Sequence, residues 1–265
     1  MTTIHIVTPL TTKDFRSLDE LDHLAGPSLS FTHSFLEHGP PSIESEFDEA
    51  FAVPGTIARA IEAERAGADA IVIDCMGDPG LKPIREVVKI PVLGPAETSM
   101  HLAAMLGQTF SIVTVLGAVK PMLINLARVY GVHEKLASVL AVDVPVLELV
   151  ERLAEVRQAL AESALVAVER DGADVIVLGC TGFLGCAEAI SERLIQAGYD
   201  IPVIDPIPAT VCIAEAVAKA GLTHSKRTFA TPRIKSLIGY ELPPFRQEKP
   251  EQRGISGEST KGRIL

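Results

Sequence analysis

Short apolar runs alternate with amphipathic stretches along residues 1–220. The runs are rich in valine and isoleucine and are often bounded by glycine or proline, which is typical of buried parallel strands. Alternation of such strands with helices predicts an α/β fold of parallel sheets with right-handed crossovers. The predicted strands are residues 3–8, 29–33, 70–74, 91–93, 110–115, 137–142, 174–179 and 202–204. The predicted helices are residues 11–25, 54–66, 81–88, 98–106, 120–130, 148–170, 187–197 and 208–220.

The strand pattern is present twice. Three blocks recur in the same order at offsets of 106, 105 and 111 residues: TIHIVT at 3–8 as TFSIVT at 109–114, ADAIVIDCMG at 68–77 as ADVIVLGCTG at 173–182, and IPVLGP at 90–95 as IPVIDP at 201–206. A repeated order at nearly constant offset indicates a duplicated α/β unit. We therefore expect two pseudo-symmetric, Rossmann-like domains with a cleft between them.

The repeat also predicts the domain boundaries. The helix at 208–220 follows a strand equivalent to the one at which the chain leaves the first domain, so we expect it to return and pack there. The first domain is accordingly predicted to comprise residues 1–96 plus 207–222, and the second residues 97–206.

Residues 223–265 are predicted to form an extended C-terminal arm, because prolines there interrupt charged and polar residues. The segment 228–245 also carries apolar side chains that a free tail would leave in water. We expect 228–245 to pack on its own body or on a neighbouring subunit, and 247–265 to be solvated.

Composition narrows the function classes. Of 265 residues, 47% are apolar and only 5% aromatic, and the formal charge is −10, which argues against nucleic-acid or anionic-membrane partners. No apolar run is long enough to span a bilayer, and no secretory signal opens the sequence. Four cysteines without a Cys-x-x-Cys pair suit free thiols in a reducing cytoplasm. No metal-ligand spacing or phosphate loop is present, so no cofactor is expected.

Two cysteines occupy equivalent places in the repeat. Cys75 and Cys180 each end a buried strand and begin a glycine-containing turn. Open α/β sheets bind ligands at the carboxyl ends of their strands, and backbone N–H groups there favour a thiolate. One thiolate could remove a proton from a carbon while the other thiol protonates the opposite face. Hydroxyls such as those of Thr114 and Thr181 are predicted to hold the developing enolate.

Structural roles compete with this interpretation. A cysteine after a buried strand is most often a small core residue, and a structural disulfide is a further alternative. Cys186 and Cys212 have no counterpart in the other half and are interpreted as packing residues. Asp78 is interpreted as a helix cap or a substrate contact.

The cysteine turns and a proline-rich loop together carry a family resemblance. The sequence resembles the aspartate/glutamate/hydantoin racemase superfamily and, within it, the hydantoin and allantoin racemases. The segments that carry this resemblance are GPPSIES at 39–45, DCMGDPGL at 74–81, FSIVT at 110–114 and LGCTG at 178–182.

The resemblance implies a cofactor-independent, two-base racemase with its active site between two α/β domains. Cys75 and Cys180 match the catalytic pair. The implied substrate contacts are Pro9, Ser42, Ile43, Met76, Gly77, Asp78, Pro95, Thr114, Thr181, Gly182 and Pro206.

Two departures bear on the substrate. The family's first strand usually ends in Asn-Pro-Asn, whereas this chain has Thr8-Pro9-Leu10. The amino-acid racemases usually carry Cys-Asn-Thr at both turns, whereas this chain has Cys-Met-Gly and Cys-Thr-Gly. These departures argue against a site for a free amino-acid carboxylate.

The leading hypothesis is a racemase that acts beside a carbonyl of a hydantoin-like small molecule, and we expect it to be a homo-oligomer. A maleate-type cis–trans isomerase, an aspartate/glutamate-type racemase and a decarboxylase remain alternatives on the same fold. A non-catalytic protein that closes on a small ligand is the alternative of another class.

Overall fold

The computed structural model describes residues 1–183 and 185–245. They form two four-stranded parallel sheets covered by helices. The first half contains β1 (Thr2–Thr8), β2 (Leu29–Phe35), α1 (Glu46–Arg65), β3 (Ala70–Ile73), α2 (Leu81–Val87), β4 (Val92–Leu93) and α3 (Pro95–Leu106). The second contains β5 (Phe110–Thr114), α4 (Lys120–Val129), β6 (Leu136–Ala141), α5 (Leu153–Glu169), β7 (Val175–Leu178), α6 (Cys186–Gln196), β8 (Val203–Ile204) and α7 (Pro206–Lys219).

The two sheets have the same topology. Their strand orders are β2-β1-β3-β4 and β6-β5-β7-β8. The central pairs also share their register, since Ile4 pairs with Ala70 in one sheet and Phe110 with Val175 in the other. The predicted α/β fold with two pseudo-symmetric units is confirmed.

Burial explains why the sequence signal of the central strands is strong. Every residue of β3, β5 and β7 is buried, as expected for parallel strands covered on both faces. The helix α7 contributes Ile207 and Val211 to the same apolar cluster as Ile4 of β1. The predicted domain boundaries at residues 96 and 206 stay a prediction.

The region predicted as a helix at 11–25 differs from the expectation. It contains two short 3-10 helices, Lys13–Phe15 and Leu18–Leu21, separated by an extended Arg16 with φ −134°. Ser17 caps the second one by accepting a hydrogen bond from the Asp19 amide. The helical backbone is interrupted at Arg16, whose side chain points into the interior and forms an ion pair with Asp74.

The prediction that α1 begins at Pro54 is wrong. The helix begins at Glu46, because Ser45 Oγ accepts a hydrogen bond from the Asp48 amide at 3.2 Å and thereby caps it. Pro54 lies inside the helix, where its missing N–H removes one hydrogen bond.

The described part of the arm packs on the body at its two ends. The Phe229 ring lies 5.5 Å from the Arg85 guanidinium, and Phe245 contacts the apolar cluster of α1, α2 and β3. Lys226 Nζ donates to the carbonyls of Arg85 and Val88 at the end of α2, at 2.6 and 2.5 Å. Between these ends the apolar side chains are exposed on this chain: Ile234, Leu237, Ile238 and Tyr240. Contact with a neighbouring subunit stays a prediction, and residues 247–265 lie outside the described ones.

Among the described residues, no helix has the length and apolar character that crossing a bilayer requires.

Candidate functional site

One cleft is lined by both cysteine turns. It encloses about 450 Å³ of unfilled space, counting its open mouth. Cys75 and Cys180 lie two positions beyond the last residues of β3 and β7, so equivalent edges of the two sheets meet there. The lining residues are Leu10, Phe15, Ile43, Asp74, Cys75, Met76, Gly77, Val115, Val119, Met122, Val146, Gly179, Cys180 and Thr181.

The two turns hold their sulfur atoms in the same way. The amide of Gly77 donates to Cys75 Sγ, and the amide of Gly182 donates to Cys180 Sγ, each at 3.4 Å. A donor aimed at sulfur favours the thiolate over the thiol. The duplication seen in the sequence therefore extends to the hydrogen bond that each sulfur accepts.

Burial nevertheless dominates the ionisation of both thiols. Desolvation raises the pKa of Cys180 to about 12 despite the Gly182 amide, and raises the pKa of Cys75 well above its ordinary value. Each turn amide lowers the pKa of its thiol, in the expected direction, but burial has the larger effect. Burial thus favours the thiol form of both cysteines, and a thiolate formed there would be a strong base.

A buried ion pair lies directly behind the cysteine turns. Arg16 Nε and Nη2 donate to the two carboxylate oxygens of Asp74, each at 2.9 Å, and both side chains are almost fully buried. The hydroxyl of Thr8 donates to Asp74 Oδ2 at 2.7 Å. Arg16 Nη2 also donates to the carbonyl of Thr181 at 2.5 Å. One guanidinium thus connects the residue before Cys75 with the residue after Cys180.

The loop at residues 39–45 joins the two halves across the cleft. Glu44 Oε1 accepts a hydrogen bond from the amide of Val146 at 2.7 Å. Ile43 is buried and packs with Leu10 in a small apolar cluster that Cys75 also contacts. The loop therefore places Ile43 and Val146 on the wall of one cleft.

Several of the predicted site residues come together. The structure places Cys75, Cys180, Ile43, Met76, Gly77 and Thr181 on the wall of the cleft. It places the other predicted contacts outside that wall: Pro9, Ser42, Asp78, Pro95, Thr114, Gly182 and Pro206. Substrate contact by these seven stays a prediction that the lining does not favour.

The two predicted enolate-binding hydroxyls are directed elsewhere. Thr114 Oγ1 donates to the carbonyl of Gly179 at 3.0 Å, and Thr181 Oγ1 donates to the carbonyl of Asp74 at 3.3 Å. Each hydroxyl satisfies a strand-end carbonyl in the interior, so the structure does not direct either of them at a substrate.

Asp78 caps a helix, but that helix is α3 and not α2, which follows Asp78 in the sequence. Its carboxylate accepts hydrogen bonds from the amides of Ala96 and Glu97 at the start of α3, at 3.0 and 2.8 Å. The hydroxyl of Tyr130 donates to the same carboxylate at 2.7 Å. Asp78 therefore fixes the end of the Cys75 turn onto α3.

The other two cysteines differ from each other. Cys186 is fully buried in the core of the second half, as predicted. Cys212 is exposed, so its interpretation as a packing residue is wrong. Within the described residues, no group of three or more histidine, cysteine, aspartate or glutamate side chains could hold a metal ion.

Sequence reasoning missed Arg16 and most of the apolar wall. Leu10 lies two positions beyond the end of β1, and Val115 directly follows β5. Their position at the carboxyl end of a strand was a usable signal. Arg16, Val119 and Met122 carry no comparable signal, because only the packing of their segments brings them to the site.

The chain is similar to known proteins over most of its length. It matches the family model of Asp/Glu/hydantoin racemase over residues 4–214, which includes both cysteine turns. It is 39% identical to hydantoin racemase from Rhizobium meliloti over 204 residues, or 77% of this chain and 83% of that protein. It is 40% identical to hydantoin racemase from Pseudomonas sp. strain NS671 over 203 residues, or 76% of this chain and 79% of that protein. The solved structure of allantoin racemase from Klebsiella pneumoniae matches with a TM-score of 0.84 and 34% identity, covering 90% of this chain and 97% of that chain.

Proposed function

The chain belongs to the Asp/Glu/hydantoin racemase family, and on this premise we propose that it racemises a hydantoin-type substrate through Cys75 and Cys180. The substrate is a 5-substituted hydantoin or allantoin, which carries its stereocentre beside a ring carbonyl. One cysteine removes the proton from that carbon, and the other delivers a proton to the opposite face.

The observation that carries the proposal is the equivalence of the two thiols. Cys75 and Cys180 lie at matching strand ends of two matching sheets and line one cleft. A reaction that can start from either enantiomer needs an acid–base group on each face of the carbon. Two equivalent strand ends that meet at one cleft supply such a pair.

The lining favours a neutral ring over a free amino acid. None of the residues described as lining the cleft is a lysine, arginine or histidine that could bind a carboxylate. The buried guanidinium nearby, that of Arg16, already binds Asp74 in a bidentate ion pair. Most lining side chains are apolar, which suits an uncharged heterocycle and its substituent.

Incubation of the purified protein with single enantiomers tests the proposal. The chiral compounds are several 5-substituted hydantoins, allantoin, aspartate and glutamate, and chiral chromatography follows their enantiomers. Maleate and an arylmalonate are added as achiral substrates, and nuclear magnetic resonance detects fumarate or a decarboxylated acid. Loss of optical purity of a hydantoin or of allantoin, absent from a Cys75→Ser/Cys180→Ser double variant, supports the proposal. Turnover of an amino acid, maleate or the arylmalonate instead would replace it with the corresponding alternative. Binding without turnover across the panel would indicate a ligand-binding protein.

A further inference from the structure

The symmetry of the two cysteine turns is broken by what surrounds them. A methyl group added at Gly77 would lie 3.1 Å from the Glu49 carboxylate oxygen Oε2. A methyl group at the equivalent Gly182 would instead lie 2.9 Å from ring and methyl carbons of Phe15 and Leu149. The glycine that donates to each sulfur thus faces a carboxylate in one turn and apolar carbon in the other.

The residues before the cysteines differ as well. Asp74 precedes Cys75, whereas its counterpart Gly179 precedes Cys180. A side chain at Gly179 has no room, since its Cβ would lie 2.7 Å from Ile112 and from Thr114. The carboxylate is therefore confined to the Cys75 side.

Arg16 places the opposite charge towards Cys180. Its guanidinium binds the Asp74 carboxylate on one edge and the Thr181 carbonyl on the other. The positive end of this buried ion pair is therefore hydrogen-bonded to the turn of Cys180, and the negative end belongs to the residue beside Cys75. A nearby cation favours a thiolate and a nearby carboxylate disfavours it.

The charged groups that face each sulfur agree with this arrangement. The charged groups near Cys180 are Arg16, Asp74 and Glu44. Among these three, Arg16 has the largest effect, and it lowers the pKa of Cys180. Cys75 is faced by Glu49, Asp74 and Cys180 itself, and each of these adds to the burial that raises its pKa.

We propose that Arg16 and Glu49 make the two thiols unequal, so that in the substrate-free protein Cys180 gives up its proton more readily than Cys75. Arg16 and Glu49 act as positioning residues, because they influence the reaction through the cysteines. The proposal deepens the proposed function, in which both thiols exchange protons with substrate. Of the two forms with a single thiolate, the one with Cys180 as the base and Cys75 as the acid then predominates.

Thiol alkylation measures this inequality without a substrate. The protein is treated with iodoacetamide at pH 8.5, and peptide mass spectrometry with fragment sequencing follows each cysteine separately, using exposed Cys212 as the internal reference. The variants are Arg16→Met, Arg16→Lys and Glu49→Gln. Lys13→Met and Glu46→Gln are matched controls, since they remove exposed charges from the same two segments. Circular dichroism establishes that each variant is folded.

The expected results are opposite for the two positions. Arg16→Met slows alkylation of Cys180 about tenfold, the effect of one pKa unit on the thiolate fraction, and Arg16→Lys restores most of the rate. Glu49→Gln speeds alkylation of Cys75 several-fold and leaves Cys180 unchanged. If Arg16→Met does not fold, Glu49→Gln still decides the matter. Rates within twofold of wild type at Cys180 in folded Arg16→Met or at Cys75 in Glu49→Gln, or equal changes at both thiols in either variant, would overturn the proposal. Because labelling needs no turnover, failure of the racemase assay would leave this result intact.

Discussion

Cys75 and Cys180 are held by the same local geometry: each lies two residues beyond a central parallel strand and accepts an amide hydrogen bond at 3.4 Å from the glycine two residues later. The relationship joins the duplication in the sequence to the chemistry of the cleft. Two copies of one strand and turn place two thiols at facing sheet edges, without any metal ligand or phosphate loop in the motif.

Gly179 should be intolerant of any side chain. Replacement by alanine would bring its Cβ to 2.7 Å from Ile112 and Thr114, so the start of the Cys180 turn must move. We expect Gly179→Ala to lower the free energy of unfolding by roughly 1–3 kcal/mol and to reduce racemisation. Gly26→Ala is the matched control, because a Cβ at Gly26 would meet nothing within 4 Å. Urea unfolding of both variants measures the difference, and equal stabilities would contradict the close packing at Gly179.

The Arg16–Asp74 ion pair should matter for stability in a way that exposed pairs do not. Arg16→Met leaves the fully buried Asp74 carboxylate without its cation, which should cost roughly 3–5 kcal/mol. Arg152, which binds Glu148 and Glu155 on the surface, serves as the comparison, and Arg152→Met should have little effect. Chemical unfolding at pH 7 compares the two variants. If both variants lost a similar amount of unfolding free energy, the expectation that the buried Arg16 pair stabilises the fold more than the exposed Arg152 pairs would be wrong.

The ionisation of Glu49 should make stability depend on pH. Burial raises the pKa of Glu49 from 4.5 to about 7, so the folded chain holds this proton more tightly than the unfolded chain. The resulting stabilisation is fully present below pH 4.5 and is lost as the pH rises through 7. The free energy of unfolding should therefore fall more steeply between pH 4.5 and 7 in the wild type than in Glu49→Gln. Glu46→Gln should reduce the slope less than Glu49→Gln, because repulsion from Glu46 contributes less to the raised pKa than burial does. If the free energy of unfolding varied with pH in the same way in the wild type and in Glu49→Gln, the raised pKa of Glu49 would be contradicted.

The first part of the arm should stabilise the body. Lys226 donates to carbonyls at the end of α2, His224 accepts a hydrogen bond from the Val92 amide at 2.8 Å, and Phe229 lies beside Arg85. Truncation after Gly221 removes all three contacts and should lower the melting temperature, whereas truncation after Phe245 keeps them. Scanning calorimetry and light scattering of both truncations would reveal a change in stability or in oligomer size. The arm would have neither role if the shorter protein kept the melting temperature and size of the full chain.

The sequence predicted the fold and the two thiols because both depend on local and repeated patterns. Buried runs such as residues 70–73 are recognisable from their own composition, and the constant offset places Cys180 opposite Cys75 without knowledge of the packing. The loop at 39–45 was identified from its own turn-forming residues in the same way.

What the sequence did not predict depends on partners distant in the chain. Arg16 pairs with Asp74, 58 positions later, and the predicted helix around it is instead two short 3-10 helices separated by an extended Arg16. Asp78 caps α3 rather than the helix that follows it, and Thr114 donates to Gly179 rather than to the cleft. A residue's type indicated polar chemistry in each case, but only the three-dimensional packing determined its partner.

Proton exchange by single-cysteine variants tests the central claim most directly. Cys75→Ser and Cys180→Ser are incubated with each enantiomer of a hydantoin that the wild type racemises, in deuterated water. Nuclear magnetic resonance follows loss of the hydrogen on the stereocentre, and chiral chromatography follows inversion. The two-base mechanism predicts that neither variant inverts the substrate, and that each exchanges the hydrogen of one enantiomer only, with opposite choices in the two variants. Racemisation at the wild-type rate by both variants would contradict it.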